Sequence, residues 1–430
     1  MSSPPGRLPG VIRSTCVLYA AFGTLAMASG CAGGAGVVDG AFESLPRIDV
    51  EEVARIEANN GAGILDEVSG LVADPREGLV YLVVAGSRTV PALDWSGEVR
   101  FELGGPDDPD AVFSRPEEIA RAGDSIWVYD RVRYQLTHFV DRQVVDRVTY
   151  SSFETPGDGF SWVTVRPLPD GNGIGVPLVP PDMDGGRADV VHPVVRVTPE
   201  GEVVDTLWTQ RVGNVDVEVL WFGGGGGSAG PQPFSPDPVR ALSWVDESVV
   251  TVSHTTGDRA VIVVEKVLLS GDGQFRVELP FHPEPITDAE VDAAVELMST
   301  GWDGRVETEG EIRALFREAL VVPEVRRPYQ AVLAADDGRV WIRLTPGTHR
   351  GGLGPIPPHA AGVVPELLGG DTEGSGWLVL SAEGEVEGRT EFPGGFVPMW
   401  VDGESVVGVE TDDLENRHVV RFAWTRPEAP

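Results

Sequence analysis

One feature constrains the fold before any other. A unit of short apolar runs, separated by turns rich in Gly, Asp, Pro and Asn, recurs along the chain. Such units cannot bury an apolar face alone, so they must stack on one another. Six copies align on their second run, at Tyr81, Trp127, Gly175, Val250, Trp341 and Val407. The first two steps match a four-stranded repeat of roughly 40–50 residues with its turns. The later steps are longer, and each contains an insertion. Gly223–Gly227 and the Pro-rich stretch after it lengthen the third, residues 284–322 the fourth, and Gly351–Gly370 the fifth.

The sixth copy has three runs, ending at Val419-Val420-Arg421-Phe422, while Ile48–Val53 is strand-like and has no partner in its own copy. A strand from the N-terminal side that completes the last copy would join first to last and leave only short edges. The expected fold is therefore all-β: a six-bladed β-propeller over residues 46–426, closed by an N-terminal strand. Two β-sandwiches are the alternative architecture.

The insertion in the fourth step reads as a helical hairpin between blades four and five. Thr287 and Glu290 have capping-box spacing, with Ile286 and Val291 placed for a hydrophobic staple. Val291, Ala294, Val295 and Met298 follow at helical period. A second helix is expected from Thr308 with Glu311, continuing through Ile312, Leu315, Phe316 and Ala319. The hairpin either covers one propeller face as a lid or buries only its own apolar side.

Residues 1–30 hold no acidic residue. Arg7 and Arg13 precede an apolar run through Cys16–Phe22 and Leu25–Ala28, which ends in Ser29-Gly30 before Cys31. This is the layout of a secretory signal, and the run is too short and interrupted to span a bilayer comfortably. Ala28-Ser29-Gly30-Cys31 resembles the bacterial lipobox, with Ala28 where that family prefers Leu, Val or Ile. The resemblance implies removal of a signal peptide at 1–30 and a lipid on Cys31. It places the protein on a membrane of the bacterial cell envelope, facing periplasm or exterior. Residues 31–45 begin Ala32-Gly33-Gly34-Ala35-Gly36 after the cysteine and would serve as a flexible tether. The cysteines are Cys16 and Cys31, so cleavage would leave no disulfide and no catalytic thiol.

The formal charge of −34 repels phosphate backbones, which argues against nucleic-acid binding. Charge of this size favours solubility, and a monomer is expected. Lys266 is the single lysine, which reads as codon composition.

Phe113-Ser114-Arg115-Pro116 to Asp130, followed by Gln135–Phe139, resembles a degenerate NHL repeat. So does Arg327-Pro328 with Asp336-Asp337-Gly338-Arg339-Val340-Trp341, and more loosely Phe234-Ser235-Pro236. The resemblance implies the propeller fold, on which both binding modules and metal-assisted lactonases or lyases occur; fold does not fix function. No pair among the seven histidines has a local metal-ligand spacing. Asn residues of the kind a lactonase would converge on its channel are scarce. Asp182-Met183-Asp184-Gly185 lacks the remaining ligands of a calcium loop, Gly223–Gly227 is not followed by Lys-Ser/Thr, and no G-x-S-x-G element occurs. Trp127, Trp341, Trp377 and Trp400 read as core. Arg115, Arg327 and Tyr329 lie where chain enters the innermost strands, and are the candidates to meet an anionic or planar ligand. The leading expectation is a binding or interaction module for a protein or small molecule, without a cofactor. The alternative is a metal-assisted lactonase or lyase with a divalent ion.

Overall fold

The computed structural model describes residues 45–57, 65, 68–106, 108, 110–150, 161–168, 170–178, 190–212, 220–222, 226–228, 234, 238–256, 259–270, 274–299, 309–320, 322–345 and 375–425. The strand order follows the repeats. After β1 (Asp49–Ile56), blade one is β2 (Val68–Asp74), β3 (Leu79–Val84), β4 (Val90–Asp94) and β5 (Val99–Leu103). Blade two is β6 (Pro116–Ala122), β7 (Ser125–Asp130), β8 (Gln135–Val140) and β9 (Gln143–Thr149). Blade three is β10 (Ser161–Pro167), β11 (Gly173–Leu178), β12 (Val190–Val197) and β13 (Val203–Val212), followed by a hairpin of β14 (Leu220–Phe222) and β15 (Gly226–Ser228). Blade four is β16 (Val239–Ser243), β17 (Ser248–Thr255), β18 (Val261–Leu268) and β19 (Gln274–Pro280). Helices α1 (Asp288–Ser299) and α2 (Glu309–Ala319) come next. Blade five is β20 (Tyr329–Ala334), β21 (Val340–Leu344), β22 (Ser375–Leu380) and β23 (Val386–Phe392). Blade six is β24 (Phe396–Val401), β25 (Ser405–Thr411) and β26 (Arg417–Thr425), with β1 as its fourth strand. All pairings within these sheets are antiparallel, and β1 runs against β26 from Asp49–Thr425 to Ile56–Val419.

The first strands of neighbouring sheets touch: β2 meets β6 and β24, and β20 meets β16 and β24. They form the inner ring of a six-bladed propeller. The middle strands are sandwiched between blades, which explains their near-continuous apolar sequences. β3 (Leu-Val-Tyr-Leu-Val-Val) is buried at all but its last residue, whereas outer strand β9 is largely exposed. Apolar clusters bind each blade to the next around the whole ring, for example Trp127, Tyr129 and Tyr150 of blade two with Val195 and Val197 of blade three. Trp341, Trp377, Trp400 and Trp127 lie in these seams, at 0%, 2%, 6% and 9% exposure. Lys266 is spent on one: its ammonium pairs with Asp246 at 2.5 Å and donates to the Gly338 carbonyl of blade five at 2.8 Å. Gly408 interrupts the apolar β25 because a β-carbon there would strike the Val397 carbonyl of β24.

Aspartates build the turns. Asp130 is fully buried and ends β7. One of its oxygens accepts the Ser114 and Arg115 N–H groups, and the other those of Val132 and Arg133. It thus ties the entry into blade two to the β7–β8 turn, and is the physical content of the repeat's terminal Asp.

The capping box forms as the spacing predicts. Glu290 Oε2 accepts the Thr287 N–H at 2.8 Å, and Thr287 Oγ1 accepts that of Glu290 at 3.3 Å. Ile286 packs on the cluster that holds Val291. Glu290 also pairs with Arg326 at 2.6 Å, which clamps the two ends of the hairpin together. The apolar sides of α1 and α2 face each other and Phe234 from the preceding insertion. Thr308, Asp182–Gly185 and Gly351–Gly370 lie outside the described residues, as do the signal, Cys31 and most of the tether. No helix among the described residues is long and apolar enough to cross a membrane.

Candidate functional site

Alternation of strand direction puts the β6–β7 and β8–β9 turns on one face of the ring. The β7–β8 turn and the entries into each blade lie on the other. Arg115 and Arg327 occupy matching entry positions on blades two and five, three blades apart, so the fold does not bring them together. Arg115 is exposed. Arg327 Nε donates to the Tyr329 carbonyl at 2.9 Å, and its guanidinium sits 5.5 Å from the Tyr329 ring. Tyr329 itself is at 0% exposure in the seam between blades four and five. Its hydroxyl lies 3.2 Å from His254 Nδ1. Burial, reinforced by Arg327, pushes His254 down to about 4, so it is neutral at pH 7. Tyr329 thus stands in the core and supports Arg327 from beneath.

A cleft of about 330 Å³ opens between blades two and three. One wall is a row across three strands: Trp127 of β7 stands opposite His138 of β8, which stands opposite Asp146 of β9. Residues directly opposite in an antiparallel sheet share a face, and the Trp127 and His138 rings stack at 4.6 Å and 9°. Leu136 and Val148, the next pair in the same register, form an apolar floor. The other wall comes from the turns of blade three, Asp170-Gly171-Asn172 and Pro199.

That second wall is preorganised. Asp170 accepts the Asn172 backbone N–H at 3.0 Å and its side-chain Nδ2 at 2.7 Å, and pairs with Arg196. The Tyr150 hydroxyl, at 3.0 Å from the Asn172 carbonyl, buttresses the turn from blade two. The first wall is less complete: among the described residues, His138 Nε2 is buried without a hydrogen-bond partner. Burial holds His138 below the ordinary imidazole range, with Asp146 pulling the other way. A neutral imidazole nitrogen kept dry and unpaired is costly unless a ligand or water completes it.

A second polar cluster lies where the inner strands end on the turn face. Asp74 ends β2 and pairs with Arg121 of β6 at 3.2 Å, both largely buried. Asp336, just past β20, accepts the Trp400 indole N–H at 3.1 Å. Burial pushes the Asp336 carboxyl up to about 7; Trp400 and Arg121 act against this, while Asp402 and Asp337 add to it. Asp402 is also raised, chiefly by burial. Among the described residues, no group of three or more His, Cys, Asp or Glu side chains is placed to hold a metal ion.

No family model and no curated protein sequence matches the chain. Solved structures do resemble it. A Bacteroides fragilis protein described as exported is 8% identical with a TM-score of 0.41, covering 88% of this chain and 96% of that one. The calcium-binding protein regucalcin from Agrobacterium tumefaciens is 10% identical with a TM-score of 0.34, covering 88% and 97%. The aldose sugar dehydrogenase of Streptomyces coelicolor, in its PQQ-bound form, is 12% identical with a TM-score of 0.35, covering 88% and 98%. Identities of this size leave room for unrelated functions on one architecture.

Sequence reasoning picks out Trp127 only as core, reads His138 as one of seven scattered, structural histidines and Asn172 as one of a few asparagines, and passes over Asp146 and Asp170. Nothing local ties the Asp170-Gly171-Asn172 turn to a histidine one blade earlier.

Proposed function

We propose that the protein is a lipid-anchored propeller of the bacterial cell envelope that acts as a binding module, with its ligand in the cleft between blades two and three. The observation that carries this reading is the unpartnered His138 Nε2 beside a fixed turn of the next blade. The cleft has the dimensions of small-molecule pockets, which start near ~300 Å³. The lipid on Cys31 rests on the lipobox-like sequence and would hold the propeller at a membrane, facing periplasm or exterior.

Two measurements test the two halves. Metabolic labelling with palmitate should mark the wild-type chain and not C31S; equal labelling of both removes the anchor. A thermal-shift screen of the purified chain against diverse small molecules should give hits that H138L loses. Hits that H138L retains would place the site elsewhere. One tightly held divalent ion per chain, together with lactone turnover, would replace binding by catalysis.

A further inference from the structure

Three groups in the cleft can accept a hydrogen bond. Asp146 is exposed, and its Oδ1 takes only the neighbouring Arg147 N–H, at 2.8 Å. Asn172 gives one of its two amide N–H groups to Asp170, and its side-chain carbonyl can accept. His138 Nε2 has no hydrogen-bond partner among the described residues and accepts in the Nδ1–H tautomer. From these groups we infer that the cleft binds an organic cation, a primary ammonium or guanidinium carried on a short apolar stem. This inference rests on the reading of the cleft as the binding site.

Three further observations narrow the ligand to this class. Ammonium and guanidinium groups carry donors only, and so complement a wall of acceptors. The local charge is negative, because Arg196 neutralises Asp170 while Asp146 has no cationic partner among the described residues that line the cleft. An anion is thereby disfavoured, within a chain whose formal charge is −34. Finally, the Trp127 indole is already engaged by rings: His138 stacks on it, and Trp244 lies 5.1 Å away at 34°. A sugar ring would have to compete with these neighbours for the indole. The apolar part of a ligand would rest instead on Leu136, Val148 and Pro199.

The test is titration calorimetry of the full chain in mild detergent at low salt. The probes are butylguanidinium, butylamine, 1-butanol and butyrate, which share a stem and differ in the head. The two cations should bind, with affinity falling at least about ten-fold in D146N and retained in D146E and in D124N, a distant exposed control. Equal binding of 1-butanol, or unchanged binding to D146N, overturns the cation. If the cations fail while other screen hits remain sensitive to H138L, the cleft stands and the cation falls. If no H138L-sensitive ligand exists, both fall. A capped Gly-Arg-Gly peptide separates the sources: tighter binding than butylguanidinium assigns the head to a partner's side chain, and equal or weaker binding to a free small cation.

Discussion

The cleft and the cluster at the end of the inner strands use similar parts: aspartates, a tryptophan and an arginine near the joint between blades. They differ in how the parts are satisfied. In the inner cluster Arg121 answers Asp74 and the Trp400 indole N–H answers Asp336. In the cleft the arginine and one asparagine amide N–H go to Asp170, while His138 Nε2 has no hydrogen-bond partner among the described residues. Burial of polar groups is tolerated where they complete one another, and it signals a missing occupant where they do not. On the proposed reading the inner cluster is a structural joint between blades, and the cleft is the binding site.

Substitutions separate the two. The largest effect on stability should come from R121A, which takes the cation away from the largely buried Asp74 carboxylate. Loss of one partner of a buried pair costs about 3–5 kcal/mol, read as a lower urea midpoint. Replacing both partners by leucine should recover much of that loss. If R121A is neutral, the cluster is not a joint.

The next effect is on pH dependence. The Asp336 carboxyl is raised to about 7 in the fold against about 3.9 in an unfolded chain. Its protonated form is the one the fold favours. Its contribution is thus fully present below the unfolded value and is lost as pH rises through 7. Urea midpoints of the wild type should fall between pH 5 and pH 8, and D336N, which keeps an acceptor for Trp400, should flatten that slope. A slope unchanged in D336N would assign it to other groups, Asp402 first.

The smallest effect on stability belongs to the cleft. D146N alters an exposed carboxylate and should shift the urea midpoint by no more than about 0.5 kcal/mol, while weakening cation binding at least about ten-fold. That binding should be flat from pH 7 to 8 and weaken only as pH falls below the ordinary imidazole range. Burial keeps His138 neutral down to there, and its protonation would then repel the ligand. A midpoint loss in D146N as large as that of R121A would erase the distinction between the two regions.

The repeat, the six blades and the capping box at Thr287–Glu290 were legible in the sequence because each depends on local period or spacing. Asp130 was legible for the same reason, since the carboxylate and the amides it gathers lie within one hairpin and its entry. The cleft was not. Its first wall needs the register that sets Trp127, His138 and Asp146 in one row, and its second comes from the next blade. Tyr329 reads as a ligand residue from its place at a strand entry, yet it is buried, because the first residue of β20 already lies against His254 of blade four. Lys266 reads as composition, but its ammonium closes a seam that only the fold creates.

The pairing of β1 with β26 also sets an order of assembly. Each blade's other hairpins join neighbours in the chain, whereas these two strands come from its far ends. During synthesis β1 emerges early and its partner late, so the ring must shut after most blades have formed. Closing so long a loop adds little entropy beyond a shorter one, but it makes the last step slow. Until then β1 waits with an open edge, the kind that recruits wrong strands. The exposed Glu51 and Glu52 on that strand put charge along the edge through the interval when it is most at risk of mispairing.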